Sequence, residues 1–161
     1  MQRVVIDEPY EFVPPITVDW WPALIQLYLD RYLRKAYGIQ HVECRKVDRV
    51  RESLDAGKGV ILSPNHCRLS DPLTLGILSR HMGRHVHAMA SWHLFKQSWL
   101  AQFVMRRMGG FSVYREGVDR QAIDTAVDVL VAGKRPLVIF PEGAISRHND
   151  QLMPLIAGTS F

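Results

Sequence analysis

Cysteine is scarce: Cys44 and Cys67 are the only two in 161 residues, and they form no C-x-x-C pair. A disulfide-stapled scaffold is therefore excluded, and a reducing compartment is the expectation. Long apolar runs are also missing. No window reaches the roughly 18 uninterrupted apolar residues that suggest a transmembrane helix. The opening MQRVVIDEPYEF carries acids and lacks an apolar core followed by a small-residue cleavage site, unlike a secretory signal. There is no internal repeat, no low-complexity tract and no convincing linker. A basic stripe interleaved with aromatics is absent, which argues against nucleic acid as a partner. G-x-S-x-G is absent too, which argues against a serine hydrolase of that type.

What remains reads as a globular domain with a sizeable core, 47% hydrophobic and 22% charged. A net charge of +4 suits anionic partners without choosing among them. Residues 1–40 form an N-terminal segment whose stretch 19–38 has helical character. Asp19 stands where a cap belongs, Pro22 in the first turn, basic Arg31, Arg34 and Lys35 towards the end, and Gly38 at the stop. Trp21, Leu24, Ile25, Tyr28 and Tyr32 share one face. That face suits either a bilayer interface, given the paired tryptophans and basic end, or the domain's own core, and periodicity does not separate the two.

From residue 41 to 161 the chain alternates. β-rich runs at 41–45, 59–64, 85–90, 111–115 and 136–140 are separated by helical patterns at roughly 47–56, 72–82, 92–108 and 118–133. The expected fold is α/β, a mostly parallel sheet flanked by helices, with an N-terminal amphipathic helix. In such sheets ligands bind beyond the carboxyl ends of the strands. Three unusual stretches fall there: NHCRLSD at 65–71, GGFSVYRE putting Arg115 at the end of a strand, and IFPEGAIS carrying Glu142 and Gly143. A neutral imidazole such as His66 takes a proton near neutral pH, and a carboxylate such as Asp71 can hold its tautomer. Asp71 before Pro72 also reads as a helix cap, which by itself would explain it.

NHCRLSD matches the N-H-x-x-x-x-D motif of the glycerolipid acyltransferases, the family that includes lysophosphatidic acid acyltransferase. GGFSVYR, 109–115, resembles their G-x-x-F-x-x-R motif, with Ser112 where phenylalanine is usual and Phe111 one place earlier. FPEGAIS, 140–146, matches F-P-E-G-x-x-S. The resemblance covers roughly 58–161 and implies roles for single residues. His66 would be the general base and Asp71 its orienting acid. Arg115 would grip the acceptor's phosphate, and Glu142 and Gly143 would help hold the acceptor. The implied reaction moves a fatty acyl group from a thioester, acyl-CoA or acyl carrier protein, to a hydroxyl of a glycerolipid such as 1-acylglycerol 3-phosphate. No cofactor beyond the donor is implied. The partners would be a lipid acceptor, an acyl thioester and a membrane surface, with the protein peripheral on the cytoplasmic, inner face.

Several residues depart from the family pattern. Ala144 and Ile145 stand where many members have Thr-Arg, with Arg147 just after Ser146 as a substitute for the missing arginine. Arg68 replaces a frequent serine. The chain stops at AGTSF before a fourth, proline-containing motif, so the 41–161 domain reads as C-terminally truncated with an unpaired sheet edge. A catalytically inactive lipid-binding or scaffold protein of the same fold is the alternative reading. Cys67 is read as a bystander, because neighbouring side chains in extended chain point apart. His81, His85 and His87 lack a completing cysteine or carboxylate, so no metal site is expected. Trp92, Phe95, Trp99 and Phe103, at helical spacing, are expected in the core or lining an acyl groove.

Overall fold

The computed structural model describes residues 8–147, 150–151 and 153–155. The stretch 157–161, on which the expectation of truncation rests, lies outside them. Helix α1 spans Trp20–Tyr37, α2 Val47–Asp55 and α3 Asp71–Met82. Strand β1 is Ile61–Leu62 and β2 is His87–Ser91. Helices α4, Trp92–Phe95, and α5, Trp99–Arg107, follow, then β3, Gly110–Val113, α6, Arg120–Ala132, and β4, Leu137–Val138. The four strands form one parallel sheet in the order β1-β4-β2-β3. The α/β expectation holds.

Alternate residues of β2 serve different faces, as a pleated strand requires. Met89 packs on the cluster of Phe111, Ala122, Ala126 and Leu137 beneath α6. Ala90 packs on Val13, Trp92 and Phe95 on the other face. A third cluster joins Leu29 and Leu33 of α1 to Ile77 of α3. The sequence HVECR, 41–45, forms no strand. Its Val42 and Cys44 pack against that third cluster instead, which accounts for their apolar alternation without a ladder.

The edge strand β3 is covered by the segment before α1. Ser112 donates its amide to the Val13 carbonyl at 3.0 Å, and the Val13 amide donates to Ser112 Oγ at 2.8 Å. Further along, the Ile16 amide donates to the Arg106 carbonyl at 2.9 Å. Tyr10 donates its hydroxyl to Asp119, and burial, then that carboxylate, pushes its phenol up to about 12. With the Tyr10 proton so used, the Ser112 hydroxyl is the donor in their 3.1 Å contact.

Two local expectations are corrected. Asp19 precedes α1 but makes no cap bond; its carboxylate instead takes a hydrogen bond from Arg135, a guanidinium only 8% exposed that also donates to the Val18 carbonyl. Pairing a nearly buried cation outweighs the roughly 1 kcal/mol of a cap. The aromatic pattern at 92–108 breaks at 96–98 into two helices, the second capped by Ser98, whose Oγ accepts the Ala101 amide. Trp92 and Phe95 are core, whereas Trp99 is 76% exposed.

Gly109 shows why β3 needs a glycine at its entry. Its φ is +85°, and a Cβ would collide with the Val86 carbonyl oxygen. Gly109→Ala should therefore lower the unfolding free energy by at least about 2 kcal/mol, from the left-handed backbone and the clash together, measured by denaturant titration.

Candidate active site

Strands β1 and β4 are parallel neighbours, with Ile61 opposite Leu137 and Leu62 opposite Val138. The loops that leave their carboxyl ends therefore start side by side. One carries His66 and the other Phe140 and Glu142.

His66 is held on every side but one. Its Nδ1 lies 3.1 Å from Asp71 Oδ2. A carboxylate only accepts, so Nδ1 carries a proton, and in the neutral imidazole Nε2 then presents a lone pair. The His66 amide donates to Glu142 Oε1 at 2.7 Å, and its carbonyl accepts the Ser146 amide at 2.8 Å. The imidazole stacks on the Phe140 ring, centroids 4.2 Å apart and planes 30° from parallel. Among the described residues no protein group bonds Nε2. The His66 and Asp71 side chains are 15% and 19% exposed, so the pair is sheltered yet open to a small group.

Asp71 does not cap α3 in the expected way. It is the first helical residue, preceded by Ser70, which makes no side-chain cap bond, and its carboxylate turns back. Oδ2 accepts the Cys67 and Arg68 amides, each at 2.8 Å, as well as His66 Nδ1. One oxygen thus shapes the loop and orients the ring. The Cys67 side chain has no place in these contacts.

The FPEG segment is a tight turn. The Gly143 amide donates to the Phe140 carbonyl at 3.0 Å, with Pro141 second in the turn and Gly143 at φ +62°. Glu142 points inward, 5% exposed, and its second oxygen accepts the Met153 amide at 3.2 Å. Both Glu142 oxygens and the Gly143 amide are thus engaged with the chain's own backbone. Arg147 is exposed and non-glycine at φ +58°, directly after the residue that bonds the His66 carbonyl.

Arg115 is exposed in the turn after β3. Sheet order puts β3 three places from β1, roughly 14 Å at about 4.8 Å per strand. The loop is fixed by Asp119, which accepts the Tyr114 amide at 2.9 Å and caps α6 through the Ala122 amide. A cavity of about 150 Å³ lies beneath the N-terminal segment, lined by residues including Val13, Trp92 and Arg106 and not by His66. Of the three singled-out histidines, His81 bonds the Ile77 carbonyl and buried His87 the Gly109 carbonyl, and burial lowers the affinity of His85 and His87 for a proton.

The acyltransferase family model matches residues 41–160, about three quarters of the chain. The chain belongs to that family, and at this level its function is acyl transfer. No curated protein and no solved structure matched it.

Asp71→Ala should leave the part-buried Cys67 amide without its partner, hand the exposed Arg68 amide to water, and cost roughly 1–2 kcal/mol of stability. Asp71→Asn keeps an oxygen where Oδ2 sits and should cost less than about 1 kcal/mol. Equilibrium unfolding of the two variants beside wild type checks the difference.

Proposed function

We propose that the protein is a glycerolipid O-acyltransferase in which His66 is the general base. The observation that carries this reading is the His66–Asp71 pair, with Nδ1–H bonded to the carboxylate and Nε2 left for substrate. His66 Nε2 takes the proton of an acceptor hydroxyl as that oxygen bonds to the thioester carbonyl carbon. Collapse of the tetrahedral intermediate breaks the carbon–sulfur bond, and the thiolate receives the proton back from the imidazolium. The products are an ester and a free thiol, with no covalent enzyme intermediate. Asp71 keeps the tautomer and stabilises the imidazolium. The donor is acyl-CoA or acyl carrier protein.

The acceptor is 1-acylglycerol 3-phosphate or a close relative. Arg147 directly follows Ser146, whose amide bonds the His66 carbonyl, and exposed Arg115 lies beyond β3 at the same end of the parallel sheet. A bulky residue in the left-handed region is costly, and such strain gathers at ligand sites. A thioester-consumption assay with a panel of hydroxyl acceptors tests the reading. His66→Ala should abolish nearly all turnover, Asp71→Asn should lower kcat roughly 10²–10⁴-fold while melting near wild type, and Cys67→Ser should keep most activity. A dead Cys67→Ser beside an active His66→Ala would replace direct attack by an acyl-cysteine route. No turnover by wild type with any donor, alongside retained lipid binding, would select the inactive lipid-binding reading.

Such an acceptor is met at a bilayer, and the surface offers a place to meet it. No helix among the described residues is long and apolar enough to cross one. Helix α1 buries Pro22, Leu29 and Leu33, leaving Trp20, Leu24, Leu27 and Tyr28 exposed, Leu27 by 75%. Rings run from Trp20 through Trp21 and Phe103 to Trp99 of α5 at centroid spacings of 5.5, 5.4 and 6.4 Å, so α5 extends the same apolar surface. Exposed Arg31, Arg34 and Lys35 flank it, each worth about 1 kcal/mol near an anionic surface. Trp21 packs inward on Phe103, so Trp20 and Trp99 are the residues to change. The Trp20→Ala, Trp99→Ala double variant should lose at least about tenfold in partitioning to anionic vesicles. Sedimentation equal to wild type would refute the docking surface.

A further inference from the structure

We infer that the cavity between the N-terminal segment and α5 seats the head group of one membrane lipid, a phosphodiester that carries an ammonium, as in phosphatidylethanolamine. This goes beyond acyl transfer and rests on the α1–α5 surface meeting a bilayer. The cavity holds about 150 Å³, and Glu11, Trp92, Lys96, Gln102 and Arg106 are among its walls. Pockets for drug-sized ligands start at roughly 300 Å³, so this space suits a single polar head group. His66 is not in the walls, so a lipid held here anchors the protein and is not the one acylated.

The walls carry the charges of such a zwitterion in reverse. Arg106 is a fork held in place. Its Nε donates to the Pro14 carbonyl at 2.9 Å, and its two Nη groups have no protein partner among the described residues. A guanidinium fixed in this way matches two phosphate oxygens at once. Lys96 adds a second cation, bonded to Glu8 and 5.2 Å over the Trp92 ring. Gln102, one turn before Arg106, offers an amide donor. The acid in the walls is Glu11, exposed and without a hydrogen-bond partner among the described residues. With the phosphate on Arg106 and Lys96, the ammonium meets Glu11, whereas a purely anionic head group would be repelled by it. The cavity also borders the docking surface. Gln102 is three residues beyond Trp99, and Arg106 three beyond Phe103, so each neighbours an aromatic residue on the surface of α5. Trp99 is 76% exposed, and such tryptophans settle at the level of the head groups, which puts the cavity among phosphates rather than acyl chains.

Sedimentation with phosphatidylcholine vesicles, made with and without phosphatidylethanolamine, tests the seat. Salt is kept near about 1 M, where surface charge is screened within roughly 3 Å. Wild type should bind the mixed vesicles at least about fivefold better. Arg106→Gln should lose nearly all of that gain, and Glu11→Gln at least about half of it, because each removes one charged partner of the head group. Glu11→Gln alters an exposed side chain and should melt as wild type does. Arg49→Gln, which removes an exposed cation from α2, should keep the gain. Ethanolamine lipids also loosen bilayer packing, so a gain retained in both Arg106→Gln and Glu11→Gln overturns the seat. So does a wild type that binds the two kinds of vesicle equally.

Two soluble probes identify the source of the phosphate. Glycerophosphoethanolamine should abolish the gain, whereas inorganic phosphate at the same concentration should leave it. Equal competition by phosphate would make the cavity a simple anion site and overturn the lipid assignment. Failure of wild type to sediment with either vesicle would instead strike the docking surface. A titration of the full chain with glycerophosphoethanolamine then decides the seat by NMR. A shift of the Gln102 side-chain amide that is lost in Arg106→Gln supports it, and no shift in wild type overturns it.

Discussion

The parallel pairing of β1 with β4 is the constraint on which the rest depends. Only two residues of each strand are laddered, Ile61 with Leu137 and Leu62 with Val138, yet Leu137 and Val138 are wholly buried and cannot shift without exposing the core. The two loops beyond that ladder belong to stretches far apart in the chain. Side by side, they let Glu142 and Ser146 reach the peptide groups flanking His66, and let Phe140 lie on its ring. A register slip would turn alternate side chains to the opposite face and separate these partners.

Carboxylates that bond backbone amides recur throughout the molecule. Asp71 takes the amides of Cys67 and Arg68, Glu142 those of His66 and Met153, and Asp119 those of Tyr114 and Ala122. Each sits where a strand has ended and the chain would otherwise leave N–H groups without partners. An ionised acceptor there makes charge-assisted bonds roughly twice as strong as neutral ones. The three loops at this end are therefore stiff for reasons separate from the hydrophobic core. Ser112 belongs to the same polar economy. Phenylalanine is usual at its place in the resembling motif, but here the fully buried hydroxyl serves the Val13 amide and Tyr10, so the covering segment is bonded to the edge strand.

Much of the fold was legible because it follows from local chemistry. The periodic apolar spacing of α3 and α6, their glycine stops at Gly83 and Gly133, and the proline at the start of α3 all act within a few residues of chain. The strands after residue 58 were found within a few residues for the same reason. The misreadings share a cause. At 41–45 the alternation of Val42 and Cys44 was real, but it faces α1 and α3 rather than a neighbouring strand. Asp19 had the right type and place for a cap, but a buried arginine more than a hundred residues away claimed it. Trp99 kept helical spacing with Trp92, but a break at 96–98 turned it out to solvent.

By itself the sequence determined the alternating architecture and the place of the stretches around His66, Arg115 and Glu142 at strand ends, since propensity, capping and motif spacing are local properties. Tertiary structure decided how those residues are used. It turned Asp71 from a helix cap into the partner of His66 and of two loop amides. It engaged Glu142 with the His66 backbone, and it set Arg115 beyond β3, three places from β1, while Arg147 follows Ser146, whose amide bonds the His66 carbonyl. Strand order is the physical reason. Which chain segments become neighbours in a parallel sheet depends on the burial of the whole core, and no window of sequence around a single motif contains that information.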